Sequence, residues 1–151
     1  MPAEPAGGPP PEELGRRMAQ LAERAVAMAE QAFDISLDYS EASVEHVEFI
    51  LGRLYDEMPR GRLAWLRGRP SPQQLGRMAT IWGAYLGEVI RRRWGGHWAP
   101  TSPRLNQALP TLLLASGELY PPAKVYQRLT KGPEDNVSFY YQVLARLLAD
   151  M

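Results

Sequence analysis

Three glycines follow one line of a long amphipathic helix that the sequence predicts between Ser71 and Gly95. Ser71 is a suitable N-cap, and Pro72 suits the first helical position. One broad face is apolar at helical spacing: Leu75, Met78, Ala79, Trp82, Tyr85, Leu86, Val89 and Ile90. Beside it lies a line of small residues: Gly76, Thr80, Gly83 and Gly87. Each glycine inside a helix costs about 0.5–1 kcal/mol relative to alanine, so we expect another backbone to approach this line closely. The helix is expected to end at Gly95 and Gly96 in a left-handed cap.

Two further helices are predicted before this one. Residues 11–35 form an N-terminal amphipathic helix whose Ala and Met face suits the core or an adaptable partner surface. This helix either packs on the domain or is exchanged with a partner. A second helix is expected from the N-cap Ser40, with Tyr39 and Val44 as a hydrophobic staple, to Pro59.

The remaining segments predict a loop, a small sheet and two more helices. Residues 60–70 are basic and broken by glycine, which indicates a loop or a short helical turn around Leu63–Leu66. The short apolar run Thr111–Ala115 and the pair Leu119–Tyr120 favour a β-hairpin, with His97–Trp98 as a further strand.

The two last helices follow the hairpin. Pro121 and Pro122 begin a short helix that Gly132 closes. A final helix is expected to turn one set of residues inward: Val137, Tyr140, Tyr141, Leu144, Leu147 and Leu148. The prediction is therefore a single α+β domain over residues 11–151, mainly helical, with a small antiparallel sheet near residues 97–120. A flexible Pro/Gly-rich tail is expected over residues 1–10.

The second half of the chain contains a set of residues in a recognisable order and spacing: Gly83, Tyr85, Leu86, Gly87, Glu88, Gly95, Gly96, Trp98, Pro121, Lys124, Val125, Gly132, Glu134 and Asp135. This pattern resembles the DUF3806-type family of bacterial proteins of unknown function. The resemblance covers about residues 38–148 and has one departure, "LYPPAKV" in place of an F-P-type turn. It implies an α+β fold and no particular chemistry.

Composition excludes several classes of protein. The chain has no cysteine, which excludes disulfides, thiol catalysis and cysteine-based metal sites. No apolar run approaches the roughly 20 residues that a membrane span needs, and we expect no signal peptide. Fifteen arginines against two lysines indicate a GC-rich bacterial genome. We therefore expect a cytoplasmic bacterial protein that does not associate with membranes.

Charge is distributed unevenly along the chain. Residues 1–58 carry twelve acidic residues and four arginines, whereas residues 59–104 carry nine arginines and one acid, Glu88. We expect the acidic first part to pack beside the basic middle and to compensate much of its charge. The alternative is a basic surface for a partner, since Arg and Trp dominate interface hot spots. The predicted partner-binding residues are Trp65, Arg67, Arg69, Arg91, Arg92, Arg93, Trp94 and Trp98.

The residues that could carry chemistry are few. His46 lies among the carboxylates Glu41, Glu45 and Glu48, which is more typical of an exposed acidic helix face than of a metal site. His97 follows a helix end, where a structural hydrogen bond is more typical than acid–base work.

Glu88 is expected to face away from the apolar stripe and to pair with Arg92. The alternative partner for this carboxylate is Lys124 or a later arginine. Because nucleophile, phosphate-loop and dinucleotide motifs are absent, we predict no catalytic residues, no metal and no cofactor.

The function predicted from the sequence is therefore a small non-catalytic protein-interaction module, an adaptor, regulator or immunity-type inhibitor. Its partner is a protein, with self-association as a possibility. One alternative is a nucleic-acid-associated protein that uses the Arg-rich middle, but the near-neutral pI and the absence of known binding motifs argue against it. A second alternative is a ligand-binding or enzyme domain centred on Glu88 and His97.

Overall fold

The computed structural model of the protein describes residues 10–100 and 109–149. This part of the chain forms five α-helices and one three-stranded antiparallel sheet, so the predicted mainly helical α+β fold is confirmed. The tail predicted for residues 1–10 lies outside the described residues except for Pro10. The elements in chain order are α1 (Pro11–Phe33), α2 (Ser43–Glu57), a 3₁₀ turn (Ala64–Arg67), α3 (Pro72–Trp94), β1 (His97–Ala99), β2 (Thr111–Leu114), β3 (Gly117–Leu119), α4 (Pro121–Lys131), a second 3₁₀ turn (Pro133–Asp135) and α5 (Val137–Ala149). None of the described helices combines the length and apolar character that a bilayer crossing requires.

Helix α3 is the central element, and its start agrees with the sequence prediction. Ser71 and Gln74 form a reciprocal capping box: Ser71 Oγ accepts from the Gln74 N–H at 3.1 Å, and Gln74 Oε1 accepts from the Ser71 N–H at 2.8 Å. Every residue from Trp82 to Ile90 is buried, so neighbours surround this part of the helix on all sides. At its end Gly95 has a φ of 83° but a ψ of −164°, so the positive φ is confirmed and the left-handed cap is not.

The glycine line of α3 has three different environments. A Cβ at Gly83 would lie 2.6 Å from the backbone nitrogen of Pro122, which confirms the predicted close approach of another backbone, that of α4. A Cβ at Gly87 would overlap the indole ring of Trp98, a side chain rather than a backbone. A Cβ at Gly76 would meet nothing within 4 Å. Packing therefore explains two of these glycines and not the third.

Helix α1 packs on the body of its own chain. Its Ala and Met face lies against α3, where Met18, Ala22, Ala25 and Ala29 are all buried. Small side chains allow the two helix axes to approach closely. The face that could have adapted to a partner is thus part of the core.

Helix α2 begins later than predicted. It starts at Ser43, because Glu41 and Ala42 first form a turn. Ser40 still caps this turn, since its Oγ accepts from the Ser43 N–H at 3.2 Å. Tyr39 has a φ of 64° and packs on Tyr85, with ring centroids 4.8 Å apart.

The sheet has the order β1–β2–β3 and confirms the predicted hairpin with its additional strand. Trp98 pairs with Leu112, and Leu112 pairs with Leu119 across the next ladder. Trp98 and Leu112 are fully buried and turn the inner face of the sheet toward α3.

Helix α5 differs from its prediction in one inward position. Val137, Tyr141 and Leu144 are buried as expected, but Leu147 is 63% exposed. The placement of Leu147 in the core was wrong, because it lies on the outer side of the helix.

Candidate interaction surface

Three large apolar side chains project from the loop between α2 and α3. Leu63, Trp65 and Leu66 are 61%, 69% and 61% exposed, and we call them the apolar tip. Between them only Ala64 is buried. Single exposed apolar residues are common on protein surfaces, but a contiguous group that includes tryptophan is typical of a contact site.

Backbone hydrogen bonds and arginine side chains fix the shape of this loop. The Ala64 carbonyl accepts from the Arg69 N–H at 3.1 Å. The Arg67 guanidinium donates to the Arg60 carbonyl at 3.1 Å, and that of Arg69 donates to the Pro59 carbonyl at 3.2 Å. Because the loop is held in one conformation, binding through it would lose little conformational entropy.

The arginines around the apolar tip keep their positive charge uncompensated. Arg62 and Arg67 are exposed, and neither forms an ion pair with a carboxylate of the described residues. The segment from residue 59 to residue 76 contains four arginines and no Asp or Glu. The loop that carries the apolar tip therefore contains only positive charges.

The arginine triplet after Ile90 is engaged within the chain. Arg91 pairs with Glu88, and Arg93 pairs with Glu41 at 2.9 Å. The Arg92 guanidinium lies 3.6 Å from the centroid of the Tyr39 ring. The pairing of Arg93 with Glu41 agrees with the expectation that the acidic first part compensates the basic middle.

Tyr39 anchors this compensated region. Its hydroxyl donates to Glu23 Oε1 at 2.6 Å, and its backbone N–H donates to the Tyr85 hydroxyl at 2.8 Å. Burial, followed by the hydrogen bond to Glu23, raises the pKa of the Tyr39 hydroxyl above its usual value. These contacts connect α1, the Tyr39 loop and α3.

Two of the predicted partner-binding tryptophans are not free surface. Trp98 is only 1% exposed, so its assignment to a partner surface was wrong. Its indole fills the space over Gly87 instead. Trp94 is half-buried and packs on Tyr141, with ring centroids 5.6 Å apart.

The predicted partner-binding residues do not form one surface. Trp65, Arg67 and Arg69 precede the start of α3, whereas Arg91–Trp94 form its last turn. The helix has 23 residues, which at 1.5 Å per residue separate the two groups by about 35 Å. The first group, the loop at Trp65, combines exposed apolar side chains with unpaired arginines, whereas in the second group Arg91 and Arg93 are ion-paired and Arg92 lies on the Tyr39 ring.

Glu88 is a buried structural carboxylate, and two predictions about it were wrong. Its side chain is 1% exposed, so it does not face away from the core. It pairs with Arg91, three residues on, rather than with Arg92: Oε2 accepts from Arg91 Nε at 2.7 Å and Oε1 from Nη2 at 3.1 Å. Oε2 also accepts from Trp98 Nε1 at 3.1 Å. The Glu88 carboxylate raises the pKa of Arg91.

These hydrogen bonds decide what Glu88 can do. Each carboxylate oxygen already accepts from Arg91, and Oε2 accepts from Trp98 as well, so Glu88 holds Arg91 and orients Trp98. Lys124, the alternative partner, pairs with Asp135 at 3.1 Å. A cleft of about 390 Å³ beside Glu88 includes His97, which is exposed.

The other histidine, His46, is also exposed, but its neighbour Glu48 is not part of a solvated acidic face. The Glu48 side chain is 15% exposed and pairs with Arg128. Within the described ranges no group of three His, Cys, Asp or Glu residues could hold a metal ion.

A second exposed apolar group escaped the sequence reasoning. Phe139, Val143 and Leu147 lie four residues apart along the outer side of α5 and are 66%, 39% and 63% exposed. The signal was present, since the apolar residues of α5 surround the whole helix instead of following one stripe.

The comparisons with known proteins identify no relative: the chain matches no family model, no curated protein and no solved structure. Membership of the DUF3806-type family therefore stays a prediction.

Proposed function

We propose that this protein is a small non-catalytic interaction module that binds a partner protein through the apolar tip. The observation that carries the proposal is the exposure of Leu63, Trp65 and Leu66 together on one hydrogen-bonded loop. Burial of one such side chain contributes about 1.5–3 kcal/mol, so a pocket that covers all three offsets about 5–9 kcal/mol of the cost of association.

The charge around the apolar tip indicates what the partner offers. Arg62 and Arg67 are exposed and not ion-paired within the described residues. A partner with an apolar pocket and an acidic rim would complement both features, and its charge would accelerate association. The split of the predicted arginine surface and the occupied Glu88 carboxylate give less support to nucleic-acid binding and to catalysis.

The test compares two exposed apolar sites on the same protein. Trp65→Ala removes the centre of the apolar tip, and Phe139→Ala removes an equally exposed aromatic ring on α5. Both variants should keep the wild-type free energy of unfolding to within about 0.5 kcal/mol, because neither ring is in the core. Affinity capture from the native organism, followed by calorimetry with the purified partner, gives the readout.

We expect Trp65→Ala to lower the affinity for the partner about 30-fold, since hot-spot residues contribute about 2 kcal/mol or more to binding. Phe139→Ala should bind as the wild type does. If every captured protein binds Trp65→Ala as tightly as the wild type, the apolar tip is not the interface. If the wild type instead binds vesicles of anionic phospholipid through Trp65 and no protein partner depends on it, the tip contacts membranes and the proposal is wrong.

A further inference from the structure

A groove of about 520 Å³ lies between α1 and α3, away from the residues assigned above. Three arginines line it: Arg17 and Arg24 from α1, and Arg77 from α3. Arg17 and Arg24 are two helical turns apart on one face of α1, because seven residues separate them. Cations from two elements therefore face one groove.

The charge of this groove is uncompensated. No Asp or Glu lines it, and none of the three arginines forms an ion pair with a carboxylate of the described residues. This contrasts with Arg91, Arg93 and Arg128, which are all paired with a carboxylate. The groove is thus lined by three guanidinium groups that have no carboxylate partner within the described chain.

Gly76 provides a second, independent observation. It lines the groove inside α3, where glycine is less favourable than alanine. Gly83 and Gly87 have packing reasons, whereas a side chain at Gly76 would meet nothing within 4 Å. The absent side chain keeps the groove open, which is what a bound molecule would require.

The rest of the lining combines two polar residues, Gln73 and Thr80, with apolar side chains. Leu21 and Ile81, both half-buried, face the groove from the two helices, and Leu109 closes it at one side. A molecule that fits would combine concentrated negative charge with a flat ring that has apolar faces and polar edges. The volume lies within the range of pockets that hold small ligands, about 300–1,000 Å³.

We propose that the α1–α3 groove binds a small phosphate-bearing molecule with a flat aromatic ring, of the nucleoside diphosphate class. Guanidinium groups match phosphate oxygens with paired hydrogen bonds, and three of them balance the charge of a diphosphate better than that of a single carboxylate. The base or another ring would lie on Leu21 and Ile81. Such binding does not require the apolar tip.

Calorimetry on the full chain at low salt tests the proposal with ADP, inorganic pyrophosphate and adenosine. We expect ADP to bind more tightly than either fragment. We expect three single variants each to lower the affinity for ADP about tenfold, the size typical of a lost charged hydrogen bond: Arg17→Ala, Arg24→Ala and Arg77→Ala. Arg62→Ala is the matched control, because this exposed arginine lies outside the groove. Gly76→Leu should also weaken ADP by filling the groove.

Other outcomes overturn the proposal. Absence of ADP binding at millimolar concentration removes it, and equal affinity for ADP and pyrophosphate means that the apolar lining is not used. If Arg62→Ala weakens ADP binding as much as Arg77→Ala does, the groove is not the binding site. If a 12-nucleotide single strand binds more tightly than ADP and Arg62→Ala weakens that binding too, the protein attracts polyanions in general. Trp65→Ala should bind ADP as the wild type does, so failure here is separable from failure of the partner proposal.

Discussion

Replacement of Glu48 by alanine should destabilise the protein by about 3 kcal/mol. Glu48 connects three helices: its carboxylate accepts from Nε of Arg128 on α4 at 2.9 and 3.1 Å, and from the N–H of Val137 at the start of α5 at 2.9 Å. The Arg128 side chain is only 5% exposed, and its Nη1 already has no hydrogen-bond partner within the described chain. Loss of the carboxylate would leave this guanidinium buried without a counterion.

The same helix provides a matched control. Glu57 pairs with Arg53 at 2.9 Å, but these side chains are 60% and 52% exposed. Because an exposed pair four residues apart contributes about 0.3–0.5 kcal/mol, Glu57→Ala should change stability by no more than that. The double variant Glu48→Leu with Arg128→Met should recover part of the loss, since it removes the buried charge together with its counterion.

Urea unfolding followed by circular dichroism measures these differences, and a cycle of the wild type, Glu48→Leu, Arg128→Met and their double variant gives the coupling energy. We expect a coupling energy above about 1.5 kcal/mol. If Glu48→Ala and Glu57→Ala lose the same stability, or if the coupling is zero within error, burial does not make the Glu48–Arg128 pair special and the reasoning fails.

Three further predictions concern the glycine line, α5 and high pH. Gly83→Ala should lower the free energy of unfolding by about 3 kcal/mol, because its Cβ would overlap the Pro122 backbone. Gly76→Ala should raise it by about 0.5–1 kcal/mol, since its Cβ would meet nothing within 4 Å. Urea unfolding that ranks the two variants the other way contradicts the packing described. Leu144→Ala should cost about 2–3 kcal/mol and Leu147→Ala less than about 0.5 kcal/mol, since only Leu144 is buried; equal losses in the same assay would contradict this orientation of α5. Burial raises the pKa of Tyr140 from its usual 10 to about 12, so the unfolded chain loses this proton first and stability should fall as pH rises between these values. Tyr140→Phe should reduce that fall in unfolding curves measured from about pH 9 to about pH 12, and an unchanged slope would show that Tyr140 does not cause it.

Much of the fold was predictable because its signals are local. The cap at Ser71, the apolar face of α3 and the short hairpin strands each depend on residues a few positions apart. The close approach at Gly83 was also predictable, since a glycine inside a helix needs a compensating contact. Its partner, Pro122, lies 39 positions further along the chain and could be found only from the structure.

The rotation of side chains about a helix was less predictable. Glu88 has arginines both three and four residues on, and either spacing suits an ion pair. The structure selects Arg91 because Trp98 donates a hydrogen bond to the same carboxylate and draws Glu88 into the core. Leu147 was placed wrongly for a related reason. Because apolar residues surround the whole of α5, the sequence does not indicate which side of the helix faces the core.

The charge pattern shows why a surface cannot be assigned from the number of its arginines. In the most conspicuous cluster in the sequence, Arg91–Arg93, two arginines pair with carboxylates and the third lies on the Tyr39 ring. Arg17, Arg24 and Arg77 form no cluster in the sequence, yet the packing of α1 on α3 places all three around one open groove. What remains available for recognition is the charge left after internal pairing, and that remainder depends on tertiary contacts. For this reason both proposals rest on groups that form no internal contact of their own kind within the described fold. These groups are the exposed apolar side chains of the apolar tip and the arginines of the α1–α3 groove that lack a carboxylate partner.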